Sequence, residues 1–162
     1  MALARLRADL ENLVQSMYKE GVLDNQFAQI QALQDESNPK FVVEVVTLFC
    51  DDAGRILREL TNHLSQSDVD HYKLDAYVHQ LKGSSSSIGA HRVKLACADF
   101  RQASDNKNKD RFQEALDRIK CEYYLLRSKF QTLVELEQRI SACETNQQLQ
   151  NAMYGGGSTQ RF

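Results

Sequence analysis

Residues that break helices are nearly missing from this chain. Its one proline is Pro39, and three of its seven glycines are packed together as Gly155-Gly156-Gly157. The body is therefore almost free of the punctuation that strands and hairpins need, and the composition points to helices. An excess of one charge is also absent. The formal net charge is −2 with 26% charged and 42% hydrophobic residues, close to the globular average, so nothing suggests a polyanion-binding or membrane-surface protein. No apolar run reaches signal-peptide or membrane-spanning length. Met1-Ala-Leu-Ala-Arg-Leu-Arg has some character of a transit peptide, but Asp9 and Glu11 follow at once, and we read it as the first helix of a soluble intracellular protein. Cys50, Cys97, Cys121 and Cys143 show no C-x-x-C spacing, which argues against zinc or redox motifs and for free, mostly buried thiols. There is no Walker A loop, no Gly-rich nucleotide loop and no cluster of Mg²⁺-binding carboxylates.

What the chain does contain is helical periodicity. Leu3, Leu6, Leu10, Leu13, Val14 and Met17 predict a first helix that ends near Gly21. Asp24 is a candidate N-cap for a short second helix carrying Phe27, Ile30 and Leu33. Asn38 as N-cap with Pro39 at the first helical position opens a third, running from Phe41 to Leu64. Ser67-Asp-Val-Asp70 resembles a capping box, and Leu74, Val78, Leu81, Ser85 and Ile88 mark the inward seam of a fourth helix. Val93 to Ala103 form a fifth stripe, 104–109 a connecting loop, and Phe112 to Ile140 a sixth. Residues 1–145 are expected to form a single domain, with 146–162 a disordered tail. The expected fold class is all-α: an antiparallel four-helix bundle of helices three to six, with two additional N-terminal helices packed on one end.

The fourth helix bears the chemistry. At about 100° per residue, Asp75, His79, Lys82, Gly83 and Ser86 fall opposite the seam of Val78 and Leu81, so His79 faces solvent. A glycine and four serines in a helix cost about 1 kcal/mol for the glycine and some tenths for each serine, so something else favours small side chains there. An exposed imidazole is about three-quarters neutral at pH 7 and can attack phosphorus without a dedicated base. Phosphoryl transfer depends on positioning and on neutralising charge at the equatorial oxygens, and Lys82, three residues on, supplies one positive charge. Two other readings stay open at this point. His71, Asp75 and His79 at i, i+4, i+8 would set three metal-ligand types on one stripe, though without a fourth ligand. Lys82-Gly83 would also suit a helix C-terminus.

The run His79-Gln-Leu-Lys82-Gly83-Ser84-Ser-Ser-Ser-Ile-Gly89 resembles the signature of plant histidine-containing phosphotransfer proteins. Gln31 to Pro39, Phe41 to Val46 and Glu122-Tyr-Tyr124 resemble the same family, and the similarity spans Leu23 to Ile140. That resemblance implies a cytokinin-type multistep phosphorelay. His79 would take a phosphoryl group from the receiver-domain aspartate of a hybrid histidine kinase and pass it to a response-regulator aspartate. Lys82 would be its charge partner, Gly83 the spacer admitting the receiver, and Asp75, Ser84 and Ser86 further partner-binding positions. The carrier would have no kinase activity of its own and bind no cofactor, with Mg²⁺ on the partner receiver domain. It would contact neither nucleic acid nor membrane interior and would occupy cytosol and nucleus. The competing reading is a catalytically silent helical adaptor that binds receiver domains without carrying phosphate.

Overall fold

In the computed structural model, residues 1–105 and 109–159 are described, with side chains for 1–103 and 109–154. They form α1 (Ala2–Lys19), α2 (Asn25–Ala32), α3 (Phe41–Leu64), α4 (His71–Ile88), α5 (His91–Asp105) and α6 (Lys109–Thr159), with no strand among the described residues. The predicted 104–109 loop falls partly on 106–108, outside the described residues.

Helices α3 to α6 close a four-helix bundle in which α4 neighbours α3 and α5, and α6 neighbours α5 and α3. Helix α4 is thus diagonal to α6, and its outer face is left to solvent. The interior is one continuous apolar cluster, because each predicted stripe must leave water and the only partners are the other stripes. Phe130 of α6 links three elements: it stacks on Phe27 of α2 at 5.7 Å and takes Phe49 of α3 edge-on at 6.3 Å.

The two N-terminal helices pack on the same end of the bundle, through different contacts. Helix α2 caps the α4–α5 corner, where Asp24 N donates to the Gly89 carbonyl at 2.9 Å and His91 N to the Val22 carbonyl at 3.2 Å. Helix α1 instead runs antiparallel along the distal part of α6. The Arg7–Glu144 pair at 2.7 Å and the Lys129–Glu20 pair at 3.3 Å mark its register. Val14 and Met17 bury that contact.

Three boundaries differ from the sequence-based expectation. Helix α3 begins at Phe41 after Lys40, not at Pro39; its Val42 amide is capped by Oε1 of Gln34 at 2.9 Å, a partner eight residues away. Asp70, not Ser67, caps α4, accepting from the Tyr72 and Lys73 amides. The expected disordered tail is helical through Thr159. No proline or glycine interrupts α6 before Gly155, so its hydrogen-bond ladder propagates although residues 145–154 are exposed. Asp24 does cap α2, as its position suggested. Of the four free thiols only Cys97 is buried; Cys50 and Cys143 are half-buried and Cys121 is exposed.

Candidate functional site

Helix α4 is uninterrupted across Lys82-Gly83 and ends at Gly89, whose φ of +84° is the left-handed cap. The reading of Lys82-Gly83 as a helix end is therefore set aside. Leu74, Val78, Leu81, Ser85 and Ile88 are buried, as the seam required. Ser85 is fully buried with no partner for its hydroxyl, so its small volume and not its polarity fits that packing.

His79 and Gly83 are exposed, one turn apart, and a Cβ on Gly83 would meet nothing within 4 Å. Lys82 is half-buried on the flank toward α5, where its charge acts on the Cys97 thiol. Burial still pushes that thiol up to about 12. Asp75 and Ser86 share that flank and are half-buried. Ser84 lies on the other side of the helix, also half-buried. The centre of the outward face is accordingly turned slightly away from Lys82, toward Ala76, Gln80 and Ser87, which helical spacing alone would have added to the site. Ser87 donates its hydroxyl to the Gly83 carbonyl at 3.0 Å, satisfying a serine that would otherwise disfavour helix.

The four histidines divide sharply. His63 lies 3.7 Å from Glu59 and 5.6 Å from the Tyr77 ring, His71 packs 5.3 Å from the Phe112 ring, and His91 pairs with Asp24 at 3.5 Å. Of the four histidines, His79 alone has no hydrogen bond, ion pair or ring contact among the described residues. Its imidazole is open to solvent. Asp75, one turn earlier, is engaged by Arg101 of α5 at 3.6 Å. Sequence reading missed Arg101, because only the packing of α5 on α4 brings it there. No group of three or more His, Cys, Asp or Glu able to hold a metal occurs among the described residues, and His71 is turned onto Phe112. No helix in that set is long and apolar enough to cross a membrane.

A helical bundle that presents one unengaged histidine on an outer helix, beside a lysine and a bare glycine, belongs to the class of proteins whose nucleophile lies on an open surface that a second protein can reach. Comparison with known proteins makes that specific. The Hpt domain family model matches residues 44–145. Histidine-containing phosphotransfer protein 2 of Oryza sativa subsp. japonica is 52% identical over 149 residues, covering 91% of this chain and all of that protein. A solved histidine-containing phosphotransfer protein from rice superposes with a TM-score of 0.83 at 51% identity, covering 87% of this chain and 99% of its own. One from maize gives 0.80 at 54%, covering 83% and 99%. The chain belongs to the histidine-containing phosphotransfer family and is a phosphorelay intermediate.

Proposed function

We propose that His79 is the residue that carries the phosphoryl group. The observation that supports it is that His79 alone of the four histidines stands exposed and unengaged, with an open glycine one turn on. A ring nitrogen of His79 attacks the phosphorus of a receiver's aspartyl phosphate. The P–N bond forms, the acyl P–O bond breaks, the carboxylate leaves and the imidazole sheds its proton. The reverse sequence onto a second receiver's aspartate completes the relay. Lys82 offsets charge on the phosphoryl oxygens, and Gly83 leaves room for the receiver surface. Asp75, Ser84 and Ser86 border that contact.

The partners under this reading are the receiver domains of hybrid histidine kinases and response regulators in a cytokinin-type pathway, and the chain works in cytoplasm and nucleus. Mg²⁺ belongs to the receiver, and the chain itself needs no cofactor and has no kinase activity of its own. A silent adaptor would bind receivers without accepting phosphate. The test uses a receiver phosphorylated with radiolabel. Acid-labile, alkali-stable label should appear on this protein and vanish in His79→Gln, whose thermal melt stays near that of the parent because the side chain is exposed. Receiver binding without label would favour the adaptor, and label persisting in His79→Gln would move the site to another residue.

A further inference from the structure

A groove between α3 and α6, lined by no residue of α4, is bordered by Arg58, Lys120 and Arg127. None of these three cations has an ion pair or hydrogen bond among the described residues. The acids nearby are committed elsewhere: Asp52 to Arg55 at 2.9 Å, Glu122 to Arg92 at 2.8 Å, and Glu59 toward His63 at 3.7 Å. Asp51 and Glu135 are the remaining neighbours, both on the adjoining groove that shares Arg127, so the three cations outnumber the acids beside them.

The floor of the groove is a close approach of α3 and α6. Gly54 is a glycine inside a helix, and a Cβ there would stand 3.1 Å from the Tyr123 hydroxyl and 3.6 Å from Nη1 of Arg58. The missing side chain leaves room for the Tyr123 hydroxyl, which donates to the Cys50 carbonyl at 2.6 Å, while Nη1 of Arg58 lies in ordinary contact range of the same spot. Arg127, one turn beyond Tyr123, acts on both Tyr123 and Cys50, which sets its charge over the same floor. Lys120 and Arg127 are seven residues apart on α6, about 10 Å along its axis, with Arg58 facing the gap from α3. Two guanidinium forks and an ammonium at that spacing match an anion with several adjacent phosphate oxygens better than one isolated carboxylate. Asn62 and the exposed Tyr124 add polar contacts at the rim.

We infer that this groove is a second site, independent of His79, that binds a ligand carrying two or more clustered phosphate groups. The shared chemistry admits a free polyphosphate or a polyphosphorylated lipid headgroup, and two arms of one experiment separate them. In the first arm, calorimetry with tripolyphosphate at physiological ionic strength should give one saturable site. Arg58→Gln/Arg127→Gln should weaken it by at least about tenfold, the loss of two charge-assisted contacts. The control Arg5→Gln/Arg139→Gln, with the same change of net charge, should bind as the parent does. In the second arm, phosphatidylcholine vesicles with and without phosphatidylinositol bisphosphate are sedimented with the same proteins. Vesicle binding that needs the bisphosphate and is lost only in the groove variant assigns the headgroup as the ligand; tripolyphosphate binding alone assigns the free anion. Absence of saturable binding in both arms, or equal weakening in the control, overturns the site. Labelling of His79 by a receiver and the thermal melt should be unchanged in the groove variant, which shows that it folds.

Discussion

A Cβ on Gly89 would stand 2.6 Å from the backbone nitrogen of Phe27, closer than real Cβ contacts come. Helix α2 therefore rests directly on the end of the helix that bears His79, and Gly89 has φ +84° as well. Gly89→Ala should cost at least about 2 kcal/mol, since the left-handed strain adds to a backbone collision. Urea unfolding measures it; a midpoint equal to that of the parent would show that α2 is free to move away.

Gly83 lacks both constraints, so its two substitutions should part company. Gly83→Ala should stabilise the protein by up to about 1 kcal/mol, because it favours helix and restricts the unfolded chain. Gly83→Gln should also fold, but its side chain fills the space beside His79. Transfer from a receiver should drop strongly, while the small donor phosphoramidate still labels His79, since in-line approach fails at errors near 1 Å. Equal loss with both donors would place the effect on the imidazole and not on docking.

Lys82→Ala should slow transfer in both directions without abolishing it, because the nucleophile remains and only charge compensation is lost. Single-turnover rates at saturating receiver are the measurement. Rates identical to the parent would remove Lys82 from the chemistry and leave it as a neighbour of Cys97.

Alkaline pH should destabilise the fold through three groups whose neutral forms it favours. Burial pushes Cys97 up to about 12 and Cys50 up to about 11 from an ordinary 9.0, and Tyr123 up to about 12 from 10.0. Each contribution is fully present below the unfolded value and is lost as pH rises through the folded one, so stability should decline from pH 9.0 toward about 12. Urea midpoints across that window test the sign. In the same samples the exposed Cys121 should react with a disulfide reagent in the native state, whereas Cys97 should react only on unfolding.

Much of this protein is legible in its sequence. The stripes from Leu3 to Ile140 are local and periodic, so they identify six helices and their buried faces. The same arithmetic puts His79 and Gly83 in solvent and Ser85 in the core. Capping was legible only where the partner is adjacent: Asp24 bonds an amide two residues away, whereas the Val42 amide takes Gln34 across a turn that no short motif encodes. Polarity after Thr145 suggests disorder, but polarity excludes burial and does not break a helix, and α6 continues to Thr159.

Tertiary structure alone decided the rest, since it depends on which stripes meet. The packing of α5 on α4 brings Arg101 to Asp75, twenty-six residues away, and turns His71 onto Phe112. The same folding engages three histidines and leaves the fourth free. It lays α1 along α6 through Arg7 and Glu144, and it joins Arg58 to Lys120 and Arg127 across one groove. Periodicity specifies the face a side chain occupies on its own helix. The neighbour it meets there is a property of how the helices close around their common core.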